Sequence, residues 1–145
     1  MKKFDFSLQK IMNFKEQRLD ILMSELQNMQ IELDNTDRMI AATNDEYNGK
    51  GRELEEKSQS GITKSEMITY NAYLHSLIVR SNELAARRVN IESAMEKKKK
   101  DIVLIKSDIK GMEKLKEKQY KEYQKLSQKV FEQEVEDFVV QSARP

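Results

Sequence analysis

Residues 67–112 decide the fold, and they read MITYNAYLHSLIVRSNELAARRVNIESAMEKKKKDIVLIKSDIKGM. From Met67 onward, apolar side chains recur at alternating steps of three and four residues, and the same spacing continues to Val140. Fifteen of the 22 positions visited are apolar, and the phase does not change along the way. A seven-residue repeat sustained over this length is typical of a left-handed coiled coil. We therefore predict a long helix over residues 63–141.

A shorter version of the same repeat lies in the first half of the chain. Seven of the nine positions that it visits between Leu19 and Tyr47 are apolar, which predicts a first helix over residues 4–56. Farther upstream, Ile11 and Leu19 are eight residues apart, and this spacing indicates a stutter in the repeat near Lys15.

The segment between the two repeats predicts a turn. Residues 48–51 contain two glycines that loosen a helix, and residues 57–62 have the composition of a turn. Thr63 is followed three residues later by Glu66, which is the pattern of a capping box at the start of a helix. The predicted fold is therefore all-α, with two long helices forming an antiparallel coiled-coil hairpin. We predict that residues 1–145 form a single coiled-coil domain.

The two helices have a predicted register, in which the numbers of paired residues add up to 117. This register places the core positions of one helix opposite those of the other. Sliding one helix by seven residues would also pair core positions with core positions. The position of the turn therefore has to select between these registers. Polar residues at seam positions such as Thr36 and Arg88 either fix the register or let the coiled coil bend. The predicted core residues are Leu22, Leu26, Leu33, Ile40, Leu84, Ile91, Ile102 and Ile109.

The predicted register leaves the C-terminal helix overhanging. Phe4 lies opposite residue 113, so about 30 C-terminal residues have no partner in the hairpin. Apolar side chains on an unpaired helix indicate a partner surface, although they can also fray or self-associate. The net charge of the second helix changes sign within the overhang, from +6 over residues 96–129 to −3 over residues 130–145. The apolar residues of the overhang are Tyr120, Tyr123, Leu126, Val130, Phe131, Phe138 and Val139.

Composition excludes several classes of protein. The 145 residues include 26 Lys and Arg, 25 Asp and Glu, one Pro, four Gly and no Cys. No apolar stretch approaches the roughly 18 residues of a membrane span, and the N-terminus lacks the apolar core of a signal peptide. With no Cys there is neither a disulfide framework nor a thiolate metal site. We therefore expect a cytoplasmic protein.

The residues needed for catalysis are scarce. His75 is the only histidine, so neither a Cys–His pair nor a Ser–His–Asp triad can be assembled. Residues 49–51 do not match a phosphate-binding P-loop, and a two-helix coiled coil offers no dry cavity that would shift carboxylate pKa values. The basic run at residues 97–100 favours a solvated helix face over a nucleic-acid site, because no aromatic residues interleave it. We expect no enzyme activity, cofactor, metal, small-molecule substrate or nucleic acid.

Three stretches of the chain resemble FliJ, the small coiled-coil component of the bacterial flagellar type III export apparatus. The first is the N-terminal series of Phe4, Phe6, Leu8, Ile11, Met12 and Phe14. The second is the series of Tyr70, Tyr73, Leu74 and Leu77 early in the second helix. The third is the sequence Glu136-Asp137-Phe138, which follows a lysine-rich segment.

This resemblance implies a non-catalytic stalk in bacterial flagellum biogenesis and protein export. Proteins of this family bind the hexameric export ATPase ring, promote its assembly, couple it to the export gate in the membrane and contact export chaperones. The resemblance also implies a location on the cytoplasmic face of the inner membrane at the flagellar base, and a role in motility and chemotaxis. By resemblance, the gate-facing residues are Tyr70, Tyr73, Leu74 and Leu77, and the candidates that face the ATPase ring are Phe4, Phe6, Tyr120, Tyr123, Phe131 and Phe138.

Three alternatives remain open at the level of sequence. The chain could be the stalk of a related virulence type III secretion system. It could also be a self-assembling coiled-coil scaffold, in which two chains bury each other's overhangs. Finally, residues 97–100 and the lysines that follow could bind an anionic surface, which would make binding depend steeply on salt.

Overall fold

Two α-helices account for most of the protein. The computed structural model describes residues 2–144, in which α1 spans Gln9–Ser60 and α2 spans Lys64–Ala143. The described residues contain no strand. The two helices pack against each other along the apolar positions of the repeat, which confirms the predicted all-α hairpin.

The turn is shorter than predicted and lies later in the chain. Residues 57–60, predicted as turn, are the last residues of α1, and residues 48–51 are helical as well. Gly61 ends the helix with a φ of +112°, a conformation that side chains with a Cβ rarely adopt. The Thr63 Oγ1 accepts a hydrogen bond from the Glu66 backbone N–H at 3.1 Å, so Thr63 caps α2 as predicted. The connection is therefore only residues 61–63.

The first helix also begins later than predicted, at Gln9 instead of residue 4. The Gln9 N–H donates to the Phe6 carbonyl at 3.0 Å, and the Met12 N–H donates to the Leu8 carbonyl at 2.9 Å. Phe6 is only 4% exposed, so the non-helical segment before α1 buries an aromatic side chain. Burial of this large side chain outweighs the helix propensity of the residues around it.

The contacts of the described residues divide them into two compact units. The turn unit is Leu22–Lys100, and the terminal unit contains the described residues of Met1–Ile21 and Asp101–Pro145. Both units contain segments of α1 and α2, and each has its own buried core.

The core of the turn unit establishes the register of its helices. Leu33, Ile91 and Met95 form a buried cluster against which Leu26 and Met29 pack. Leu77 and Leu84 are also buried, and Ile40 is half-buried.

Ion pairs of the turn unit agree with the register of this cluster. The Arg88 Nε donates to the Asp37 Oδ1 at 2.6 Å, and these residue numbers add up to 125. The Lys98 Nζ donates to the Glu25 Oε2, and these numbers add up to 123. Leu33 and Ile91, which share the buried cluster, give 124. The predicted register of 117 is therefore wrong by one heptad.

The position of the turn explains this difference. In an antiparallel hairpin the midpoint between paired residues is the centre of the turn, which is residue 62 here and not a point between residues 58 and 59. The observed register places Thr43 opposite Ser81 and Thr36 opposite Arg88. Polar residues of the two helices therefore lie at the same level along the coiled coil. Thr36 is 1% exposed and Thr43 is 3% exposed. Their hydroxyls donate to the carbonyls four residues earlier, at 2.9 and 2.7 Å, and no buried side-chain nitrogen or oxygen of the described residues lacks a partner.

The terminal unit has the same register and an unbroken repeat. The Lys15 Nζ lies 2.8 Å from the Asp108 Oδ2, and these residue numbers add up to 123. The predicted stutter is wrong, because Met12 is 6% exposed while Ile11 is 47% exposed. Lys15 is half-buried, so its aliphatic stem occupies a seam position while its ammonium group reaches the surface. The buried core of this unit also contains Phe6, Ile102 and Ile109.

Candidate functional site

An aromatic cluster attaches the N-terminal segment to α2 in the terminal unit. The Phe4 and Tyr120 rings meet edge to face, with their centroids 5.2 Å apart, and the Tyr123 ring lies 5.6 Å from Phe4. The Tyr123 hydroxyl donates to the Lys2 carbonyl at 2.6 Å. Edge-to-face and tilted aromatic pairs stabilise beyond the area that they bury. The cluster therefore holds residues 2–8 against the helix.

This cluster corrects the predicted extent of the overhang. The observed register brings seven more residues of α2 alongside the N-terminal part of the chain, so Tyr120 and Tyr123 pack within the terminal unit. Phe6 is buried, and Phe4 is half-buried. Of the six residues predicted to face the ATPase ring, the structure brings Phe4, Tyr120 and Tyr123 together and leaves Phe131 and Phe138 widely exposed.

The last part of α2 presents an apolar surface that we call the tail face. It consists of Phe131, Val135, Phe138 and Val139, which are 65%, 44%, 69% and 57% exposed. Residues spaced by three, four and seven positions lie on one side of a helix, so these four side chains are neighbours. All described residues from 131 to 144 are exposed.

The tail face is not the continuation of the hairpin seam. The seam of α2 consists of the first and fourth positions of each heptad. Phe131 and Phe138 occupy the second position of their heptads, and Val135 occupies the sixth. These are outer positions, which point away from the partner helix of a coiled coil. The seam positions of the tail include the polar residues Gln133 and Asp137. The sequence analysis missed this surface because it followed a single seven-residue walk; a helical projection of residues 130–143 would have found it.

Acidic side chains flank the tail face on both sides. Glu132 and Glu134 adjoin it in the helical projection, Glu136 lies next to Glu132, and Asp137 lies on the far side of the helix. Residues 130–143 contain four acidic residues and neither Lys nor Arg.

Side-chain hydrogen bonds one helical turn apart support the helix of the tail. The Gln128 Nε2 donates to Glu132 at 3.3 Å, and the Gln133 Nε2 donates to Asp137 at 3.2 Å. Such pairs stabilise a helix that has few tertiary contacts.

The turn unit carries a second surface, an open groove of about 500 Å³ that we call the tyrosine groove. The Lys57 Nζ lies 5.5 Å from the centre of the Tyr70 ring, and the Lys50 Nζ lies 5.6 Å from the centre of the Tyr73 ring. The distances are within the range of cation–π attraction. The Tyr70 hydroxyl donates to Glu53 at 3.4 Å, and the Tyr73 hydroxyl donates to the Glu46 carboxylate.

The four residues predicted to face the export gate do not share one exposed surface. Tyr70 and Tyr73 line the tyrosine groove, and Tyr73 is 37% exposed. Leu77, in contrast, is 5% exposed and belongs to the core, and Leu74 is half-buried.

The basic run at residues 97–100 is divided by the hairpin. Lys98 is half-buried and pairs with Glu25, while Lys99 lies 3.4 Å from the Glu96 carboxylate. The four lysines therefore do not form one continuous exposed patch.

A second charged group joins the helices of the turn unit. Hydrogen bonding and charge attraction from Asp37, together with the charge of Glu92, raise the pKa of the Arg88 guanidinium above its ordinary value.

The described residues form neither a metal-binding group nor a membrane-spanning helix. Within residues 2–144, His, Asp and Glu side chains form no group that could hold a metal ion. His75 is exposed. In that same range, neither helix combines the length and the apolar character needed to cross a membrane.

Comparison with known proteins identifies the family. No curated protein and no solved structure matches the chain significantly. A family model described as "Flagellar FliJ protein" matches residues 4–143. The match covers the whole of both helices and includes the aromatic rings of the cluster, the tyrosine groove and the tail face. The chain therefore belongs to the flagellar FliJ protein family and is a component of flagellar protein export.

Proposed function

We propose that this protein is a non-catalytic stalk of the flagellar export apparatus. Its terminal unit binds the hexameric export ATPase and promotes assembly of the ATPase ring, and its turn unit provides the contact with the export gate. The protein acts at the cytoplasmic face of the inner membrane at the flagellar base, where it also meets export chaperones. The single observation that supports this proposal best is the tail face, together with membership of the FliJ family.

The tail face has the properties of a binding surface. Phe131 and Phe138 are each about two-thirds exposed, and large aromatic side chains supply much of the binding energy at protein interfaces. A helix that places such residues on one side docks into an apolar groove of a partner. In this proposal the tail face binds the ATPase ring, while the aromatic cluster holds the base of the tail in place.

The tyrosine groove is the proposed contact with the export gate. Tyr70 and Tyr73 supply exposed aromatic surface, and Lys50 and Lys57 hold their rings in place through cation–π contacts. Leu77 contributes indirectly, because its side chain packs in the hairpin core. We assign the chaperone contacts to no particular residues.

The proposal can be tested with purified export ATPase. Titration with the wild-type protein should raise ATP hydrolysis and the fraction of hexameric ATPase in sedimentation. The double substitution Phe131→Ala with Phe138→Ala should weaken binding at least about tenfold, because it removes both aromatic anchors.

The matched control for this experiment is Val103→Ala with Leu104→Ala. These two residues are also on α2, and their exposures of 65% and 64% resemble those of the two phenylalanines. The control should stimulate the ATPase as the wild type does, and circular dichroism should show unchanged helix content in both variants. A wild-type protein without any effect on ring assembly or hydrolysis would refute the proposed function.

A further inference from the structure

The tail face combines apolar side chains with acidic flanks, and this combination restricts its partner. Phe131, Val135 and Phe138 form the centre of the surface, and Glu132 and Glu134 lie on its two sides. Residues 130–143 contain no basic residue, and the Glu132 carboxylate accepts a hydrogen bond from the uncharged Gln128 side chain. A partner that buries the apolar centre must therefore also approach two negatively charged flanks.

We propose that the tail face docks into an apolar groove whose rim is basic, on a protein other than a second copy of this chain. Lysine or arginine side chains on the rim would pair with Glu132 and Glu134 at the edge of the contact, while the groove covers the two phenylalanines. Charges at the edge of an interface set specificity and the rate of association more than the final affinity.

The tail face of a second copy is a poor partner for the same reason. If two tail faces pack together, each brings the carboxylates of Glu132 and Glu134 to the edges of the contact, and no basic side chain from residues 130–143 is there to pair with them. Juxtaposed like charges disfavour such a pairing, although the apolar centre alone would support it. The acidic flanks thus act against self-association and in favour of a basic partner.

This inference deepens the proposed function, and it depends on that function only for the identity of the partner. The first experiment therefore uses a probe that is independent of the ATPase. Two synthetic amphipathic helices with the same leucine face are compared, one with lysines at both edges of that face and the other with glutamates. Binding of each peptide to the full-length protein is measured by fluorescence anisotropy at low and at high salt.

The wild-type protein should bind the lysine-edged peptide at least about tenfold more tightly than the glutamate-edged one, and salt should reduce this preference. Phe131→Ala with Phe138→Ala should abolish binding of both peptides. The charge reversal Glu132→Lys with Glu134→Lys should remove or invert the preference.

A matched control separates local pairing from overall charge. The single substitution Asp137→Lys reverses one acidic charge on the far side of the helix, and it is compared with Glu134→Lys, which changes the net charge by the same amount beside the tail face. Asp137→Lys should leave the preference within about twofold of the wild-type value. Equal binding of the two peptides by the wild type, or equal effects of these two single charge reversals, would overturn the inference.

Two further measurements assign the partner. In sedimentation equilibrium the wild type should remain monomeric. If the wild type is instead a dimer, and Phe138→Asp converts it into monomers, a second copy occupies the tail face and the inference is wrong. With the export ATPase, Glu134→Lys should reduce stimulation while Asp137→Lys does not. If the wild type shows the peptide preference but leaves the ATPase unaffected, the inference stands and the proposed function fails.

Discussion

At the scale of single residues, burial separates side chains that have similar sequence neighbourhoods. Ile31 and Leu33 are two positions apart on α1, yet Ile31 is 53% exposed and Leu33 is 9% exposed. Leu33 contacts the cluster that contains Ile91 and Met95. Its side chain therefore contributes to the packing between the helices, whereas that of Ile31 faces solvent.

Truncation of Leu33 should destabilise the hairpin, whereas truncation of Ile31 should not. We expect Leu33→Ala to lower the free energy of unfolding by about 2–3 kcal/mol, since it removes buried contacts and leaves a partial cavity. Ile31→Ala should change it by less than about 0.5 kcal/mol. Urea denaturation followed by circular dichroism measures both values. Equal effects of the two substitutions would contradict the assignment of Leu33 to the core.

At the scale of elements, one glycine decides where α1 ends. Gly61 has a φ of +112°, whereas Gly49 is helical, and a Cβ added at either position would have no atom within 4 Å. The two glycines therefore differ in backbone conformation and not in available space. This comparison isolates the conformational cost of a side chain at the turn.

Alanine at these two positions should have opposite effects on stability. We expect Gly61→Ala to destabilise the protein by at least about 1 kcal/mol, because the residue must keep a positive φ. Gly49→Ala should stabilise it by about 0.5–1 kcal/mol, since alanine is the better helix former. Thermal denaturation of the two variants beside the wild type provides the test. Stabilisation by Gly61→Ala would mean that the turn does not require a positive φ.

At the scale of the whole molecule, the repeat permits more than one pairing of the helices. A slide of seven residues returns every seam position to a seam position, so the repeat alone does not distinguish a register of 117 from one of 124. The short connection of residues 61–63 requires the pairing to be centred on residue 62. This pairing also places polar seam residues opposite each other, such as Thr43 opposite Ser81.

Engineered cysteines can distinguish the two registers, because the chain has none of its own. Leu33→Cys with Ile91→Cys should form an intramolecular disulfide on mild oxidation, since both residues belong to the same buried cluster. Leu33→Cys with Leu84→Cys should remain reduced, because seven residues of helix displace the second thiol by about 10 Å. Peptide mapping under non-reducing conditions identifies the product. Preferential crosslinking of the second pair would restore the register of 117.

The sequence by itself determined the helices, the hairpin and most of the core. The reason is local, because the period of apolar residues establishes which side of each helix is buried, and this holds for Leu22, Leu33, Ile91 and Ile109. The family was also predicted from sequence motifs, and the family match confirms it.

Only the tertiary structure decided how the helices align and which aromatic residues remain available to a partner. Register depends on where the turn closes, and Gly61 closes it four residues later than composition suggested. That shift of one heptad places Tyr120 and Tyr123 against Phe4, so Phe131 and Phe138 are the most exposed of the six residues predicted to face the ATPase ring. Burial of a side chain at the end of a hairpin depends on which residues lie opposite it, and a repeating pattern cannot specify this, since every heptad presents the same face.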